Sequence, residues 1–323
     1  MTFFKPTRRD LLKIAAAAPA FALPAPVAAA LMGPSGSQPA YHRFTLGAAK
    51  ITVISDGHFT MPTSELGVNA DRAEVAEFLK AHYLASDISY RHTNHMFIEL
   101  GDAKVLVDVG SGSRFVGTVG KLVENLDAAG IDTDEITHVA MTHAHPDHIW
   151  GLRDDFDEPI FPDAEYVMGG TEIDYWLQDD LVNKVAPEQQ QIVLGAINSI
   201  NAEGVDWTVA NDGTEVAPGI RMLATPGHTV GHMSVMVESE GESLIALGDS
   251  FTNVYMDFAQ PEWVIERDHD PELTVKTRKH LLDMTATDKI AVLGYHFPFP
   301  GVGHVTKDAS GYRFVPALWR WEE

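Results

Sequence analysis

Between Met141 and Gly151 the chain reads MTHAHPDHIWG, which places three histidines and an aspartate within six positions: His143, His145, Asp147 and His148. Imidazole nitrogens and carboxylate oxygens are the donors that hold divalent cations where thiolate is missing, and the chain has no cysteine. In an extended segment residues i and i+2 face the same way, so His143 and His145 can meet one cation. Pro146 then reads as the first turn of a helix that carries Asp147 and His148 to a neighbouring point. The two metals of a hydrolytic pair sit about 3.5–4 Å apart, so one short loop can seed both positions.

Four donors do not complete two coordination shells. Further donors stand where apolar runs end, namely His228 in TPGHTVGH, Asp249 in ALGDS and His296 in LGYHFP. Taken singly, each also reads as an ordinary strand-end or turn residue; the six-residue cluster is what selects them as a set. The expected assignment gives His143, His145 and His228 to one cation and Asp147, His148 and His296 to a second, with Asp249 bridging both. Asp147 and Asp249 are the expected catalytic carboxylates. Asp108 in LVDVG either orients a ligand histidine or caps a turn. His232 and His304 read as supporting residues. Phe115, Trp150 and Trp176 are candidates for an apolar substrate pocket, with Phe297 and Phe299 also near the motifs; taken singly, each reads more readily as core than as pocket lining.

Positioning these groups requires strands that end together. KITVISDG (50–57), HMFIEL (95–100), KVLVDVG (104–110) and ITHVAMTH have strand character, and GIRMLATP, HMSVMVES, SLIALGD and KIAVLGYH supply a second set. Helical spacing occupies 71–84, 115–130, 170–178, 187–202 and 271–285. Strand clusters flanked by helices in both halves predict two sheets face to face with helices outside, an α/β sandwich.

Lys and Arg total 23 against 46 Asp and Glu, a formal charge of −23, which disfavours nucleic acid and anionic membrane as partners. TRRDLLK near the start, followed by an Ala-rich apolar stretch, reads as a twin-arginine export signal over 1–30, with a flexible mature N-terminus over 31–40 and one domain over 41–323. The expected location is therefore periplasmic or secreted, without stable membrane insertion after cleavage. Apolar residues in 59–70 could pair two chains as a homodimer.

THAHPDH, TPGHTVGH, GDS and GYHFP, in this order, resemble the metal-binding motifs of the metallo-β-lactamase superfamily. Within it, HFPFPGVGH, GYRFVP and DYWL resemble methyl parathion hydrolase and its lactonase and arylesterase-like relatives. The resemblance implies an αββα sandwich holding two divalent metal ions, zinc first, with manganese, iron or cobalt able to take the same donors. It implies a metal-dependent hydrolase in which a hydroxide between the metals attacks a small neutral ester, lactone or phosphotriester. A mononuclear iron persulfide dioxygenase and a non-catalytic periplasmic metal-binding protein are the competing expectations.

Overall fold

Val139, Ala140 and Met141 show the rule by which the scaffold is built. Successive strand residues face opposite sides, and here Val139 and Met141 join one core cluster while Ala140 joins another. The computed structural model describes residues 40–309 and 311–318. The expected export signal over 1–30 and the segment 31–39 lie outside the described residues.

Strands β1 (Tyr41–Leu46), β2 (Ala49–Pro62), β3 (Ile88–Leu100), β4 (Ala103–Val107), β5 (His138–Met141), β6 (Glu165–Gly169) and β7 (Trp207–Ala210) form one sheet in that spatial order. The second sheet runs β14-β13-β12-β11-β10-β9-β8, from β8 (Glu215–Ala217), β9 (Ile220–Ala224), β10 (Met233–Ser239), β11 (Glu242–Ala246), β12 (Ala291–Leu293), β13 (Val302–Asp308) and β14 (Gly311–Pro316). The helices are α1 (Arg72–Ala81), α2 (Leu122–Ala128), α3 (Pro146–Ile149), α4 (Gly170–Trp176), α5 (Leu181–Lys184), α6 (Gln190–Ile200), α7 (Met256–Ala259) and α8 (Pro271–Asp288).

The two sheets meet through their inner faces, where Val53, Met96 and Val105 of the first pack in one cluster with Met222, Val235 and Leu244 of the second. The outer face of the first sheet, including Phe97, Leu106 and Val139, is covered by Leu126 of α2 and Val193 and Ala196 of α6. Ile245 and Val292 on the outer face of the second are covered by Leu281 and Leu282 of α8. This is the expected αββα sandwich. None of the described helices is long and apolar enough to cross a membrane.

One expectation changes. Helical spacing over 115–130 yields a helix only over Leu122–Ala128, because Gly120 adopts φ +82° where an added Cβ would lie 2.2 Å from the Gly112 carbonyl oxygen. The preceding loop is thereby free to carry Phe115 towards the cavity described below. In the 59–70 stretch, Phe59–Pro62 lie in β2 and Leu66 is buried against Val75, Leu79 and Ile265, while Val68 is 45% exposed. Phe297 and Phe299 take the core reading: Phe297 is wholly buried in the cluster under α8 and Phe299 packs on the core between the sheets.

Asp56, buried in β2, fastens the loop and helix beside the site. Its two oxygens accept from the backbone nitrogens of Ser111 (3.0 Å) and Leu122 (2.7 Å). Asp56→Ala strands two buried N–H groups at a cost of about 2–4 kcal/mol. Thermal unfolding followed by circular dichroism is expected to show a melting temperature lower by about 5 °C or more; an unchanged value would contradict this role.

Candidate metal centre

All seven predicted donors converge at one edge of the sandwich. His143 lies just beyond β5, and His145, with extended dihedrals, is the residue before the single turn of α3 that carries Asp147 and His148. His228 lies between β9 and β10, Asp249 just after β11, and His296 just after β12. Each donor thus follows the C-terminal end of a strand, and β5, β11 and β12 are each held by a parallel neighbour. The donors fall into two groups by distance: His143, His145, His228 and Asp249 make one, and Asp147, His148 and His296 the other.

The hydrogen bonds fix which nitrogen of each ring is free. Nδ1 of His148 donates to Asp108 Oδ2 at 2.8 Å, Nδ1 of His228 to Asp268 Oδ1 at 3.0 Å, and Nδ1 of His296 to the His92 carbonyl at 2.7 Å. Thr142 Oγ1 donates to Asp108 Oδ2 and so accepts from His143 Nδ1 at 3.0 Å. Each Nε2 therefore keeps its lone pair, as metal-binding imidazoles do when an acceptor holds the other nitrogen.

Those lone pairs point at one another and at carboxylates. His145 Nδ1 lies 3.0 Å from Nε2 of His143 and of His228. Asp249 Oδ2 lies 3.3 Å from His228 Nε2 and 3.1 Å from His296 Nε2, while Oδ1 lies 3.3 Å from His148 Nε2. Asp147 Oδ2 is 3.5 Å from the Nε2 atoms of His148 and His296. Donors held at 2.0–2.1 Å around a tetrahedral cation sit about 3.3 Å apart, so the spacing fits. Asp147 Oδ2, His148 Nε2 and Asp249 Oδ1 are buried without a hydrogen-bond partner, as donors waiting for a cation are. The residues present fit a pair of divalent ions, with Asp249 reaching both groups.

Electrostatics agree. Burial and then the imidazoles of His148 and His145 hold His143 well below the usual imidazole range, and burial with His228 does the same to His145. Burial opposes a proton on His148 too, but Asp147, Asp249 and Asp108 raise it well above that range. Asp249 is penalised by burial yet held well below the usual carboxylate range by His296 and His148. The cluster thus calls for positive charge at His148 Nε2, and a bound cation supplies it.

Asp108 settles the alternative left by the sequence. It orients His148 and also accepts from the Thr142 backbone N–H at 2.7 Å, in a left-handed conformation (φ +58°) that few non-glycine residues adopt. His232 is a support, its Nε2 accepting from the Asp249 N–H at 2.9 Å and its Nδ1 donating to the Thr225 carbonyl. His304 is exposed on β13, away from the role expected of it.

The sequence reading missed Glu172, Asp268 and Tyr295. Buried Glu172 accepts from Ala144 N (3.1 Å), Thr229 Oγ1 (2.8 Å) and Gly231 N (2.9 Å), tying the two histidine-bearing loops together. Its only sequence signal is its place four residues before Trp176, whose Nε1 donates to it at 2.7 Å. Tyr295 stacks on His148 at 3.9 Å and donates to the Asp147 carbonyl.

A cavity of about 790 Å³ opens from the donors. Phe115, Trp150 and Trp176 all line it, with Phe59, Tyr175 and Ile192 in addition. Phe59 stands edge-on to both Phe115 (5.3 Å) and His296 (5.6 Å), linking the aromatic wall to the donors.

The chain belongs to the metallo-beta-lactamase superfamily, whose family model matches residues 89–294. An N-acyl homoserine lactonase of Bacillus thuringiensis is 26% identical over 178 residues, 54% of this chain and 62% of that protein. The chain thus spans about three fifths of the length of the lactonase it matches. An atrochrysone carboxyl ACP thioesterase of Passalora fulva is 26% identical over 154 residues, 48% of this chain and 36% of that protein. Among solved structures, hydrolase AbOPH of the beta lactamase superfamily superposes with TM-score 0.80 at 27% identity, over 88% of this chain and 100% of that one. AidC, a dizinc quorum-quenching lactonase, superposes with TM-score 0.76 at 23% identity, over 87% and 98% of the two chains, a likeness of fold. The first curated relatives are N-acyl homoserine lactonases, not specifically members of the methyl parathion hydrolase branch.

Asp108→Ala is expected to weaken metal binding by about 10–100-fold, read by competition with a chromogenic chelator; wild-type affinity would contradict its orienting role. The pH dependence has a defined sign. Burial first, then His228, hold native His232 down to about 3 against an ordinary value of 6.5, so between these limits the unfolded chain takes a proton that the native state refuses. The stability involved is present above pH 6.5 and lost as pH falls towards 3. Urea midpoints of metal-free protein should decline over that window, less steeply in His232→Gln; identical slopes would refute the assignment.

Proposed function

We propose that this protein is a metal-dependent hydrolase that cleaves the carboxyl ester bond of a small neutral lactone, with linear esters as secondary substrates. The observation that carries the reading is the set of buried, unpartnered donor atoms on Asp147, His148 and Asp249 at the head of an aromatic-walled cavity. His143, His145 and His228 would hold one cation, Asp147, His148 and His296 a second, and Asp249 both. When bound, such a pair supplies a water of lowered pKa as nucleophile and a Lewis acid for the carbonyl oxygen.

The chain's own groups do the rest. Asp147 and Asp249 bring carboxylates to the head of the cavity, and Asp147 would take up the proton of the attacking water and pass it to the leaving alkoxide. Asp108, Asp268 and the His92 carbonyl keep the rings from turning. Phe59, Phe115, Trp150 and Trp176 exclude water and favour an uncharged, partly apolar substrate. Relatives named as lactonases and a thioesterase, all acting at an acyl carbon, support carboxyl ester chemistry. Phosphotriesters, suggested by the methyl parathion hydrolase resemblance, belong to the same test. Export is proposed with this activity on the strength of Arg8 and Arg9 and the apolar run that follows.

The experiment is a pH-stat panel of a γ-lactone, an N-acyl homoserine lactone, an aryl ester and a phosphotriester, on protein whose metal content has been measured. Lactone turnover is expected, lowered about 10²–10³-fold or more in Asp249→Ala. Protein carrying two metals per chain that turns over nothing in the panel would overturn the proposal.

A further inference from the structure

Three arginines line the cavity: Arg91, Arg114 and Arg267. Two are occupied at its rim. Arg114 pairs with Asp157 at 3.1 Å and donates to the Asp154 carbonyl, and Arg267 pairs with Glu65 at 3.2 Å. Arg91 is different. It lies on β3 and is 2% exposed; one Nη1 donates to the Thr252 carbonyl, and Nε and Nη2 have no partner. The hydroxyl of Thr252, which also lines the cavity, is unpartnered as well. Among the described residues no carboxylate comes within salt-bridge distance of Arg91. Asp257, the carboxylate that most favours its charge, spends Oδ2 on the backbone nitrogens of Thr252 and Asn253, and its Oδ1 faces Arg278 at 3.6 Å.

A guanidinium stays charged and presents five N–H donors in a fixed plane. Burying it without a counter-ion costs several kcal/mol, and holding one carbonyl in place needs only one of those donors. The unused side of the fork, beside an unused hydroxyl, is provision for an acceptor oxygen that the cavity's occupant brings. The scissile carbonyl is claimed by the centre itself, so this oxygen must be a second one on the same molecule. Burial works against the charge on Arg91, while Asp257 and then Asp249 favour it, which sets the arginine within electrical reach of the metal-binding edge.

We propose that Arg91, with the Thr252 hydroxyl, is a specificity-determining residue that takes a second acceptor oxygen of the substrate. That oxygen is an amide carbonyl carried beside the lactone ring, so that N-acylamino lactones are favoured over lactones bearing only an alkyl chain. The inference rests on the lactonase reading for its substrate class.

The test compares wild type, Arg91→Ala and Arg91→Lys on N-hexanoyl homoserine lactone and γ-decalactone. Wild type is expected to prefer the amide-bearing lactone, and the ratio of the two kcat/KM values to fall about tenfold or more in Arg91→Ala, mainly through KM. Arg91→Lys should fall between, and added guanidinium ion should restore part of the preference to the alanine variant. An arginine that only braces Thr252 would lower both activities equally; that result, or no preference in wild type, overturns the inference. A second measurement follows quenching of Trp150 and Trp176 by the ring-opened products, N-hexanoyl homoserine and 4-hydroxydecanoate. Tighter binding of the former is expected in wild type and not in the variants. If neither lactone is hydrolysed, the lactonase reading fails and this titration alone decides, equal binding of both products to wild type and variants rejecting the role of Arg91. Should Arg91→Ala not fold, Arg91→Lys carries both measurements.

Discussion

Three carboxylates, those of Asp108, Asp147 and Asp249, stand within 2.8, 3.5 and 3.3 Å of the one imidazole of His148, with almost no solvent around them. In a medium of low dielectric such a concentration of negative charge raises the energy of the fold unless positive charge is set among it. Four imidazoles surround it with lone pairs inward, because their other nitrogens are committed to Asp108, Asp268, Thr142 and the His92 carbonyl. Every bond around the rings thus turns electron density towards the same two points. The need for cations is therefore built into the folded chain, and strand ends from both sheets must meet for it to arise.

That meeting depends on groups that touch no cation. Glu172 joins the loop after β5 to the loop after β9, His232 holds the backbone of Asp249, and Tyr295 braces both His148 and the α3 turn. Each satisfies buried backbone or ring donors that would otherwise be stranded. The centre is rigid because its supports come from different elements, so no single loop can move without breaking bonds to another.

How much of this the sequence disclosed follows from the range of the interactions. The HxHxDH cluster is legible because its successive donors lie one or two positions apart, and strand alternation alone fixes the faces of β5 and β10. His228, Asp249 and His296 become legible only through that cluster and the motif order it brings. Glu172 and Arg91 stay hidden, since the partners that give them meaning lie 28 to 161 residues away, and neither residue type is unusual in its local setting. The shortened α2 is a related case: helical periodicity was present from 115, but Gly120 answers to a contact with Gly112 that periodicity does not encode.

The braces that link the histidine loops leave other parts of the cavity wall outside their reach. Phe59 and Met61 on β2, Arg114 and Phe115 ahead of α2, and Gln189 and Ile192 near α6 contribute surface but no donor atom. Descendants of this gene can therefore exchange one acyl group or ring for another by altering those positions while the reacting centre is inherited intact. The fold separates the part that must not vary from the part on which selection for new substrates can act.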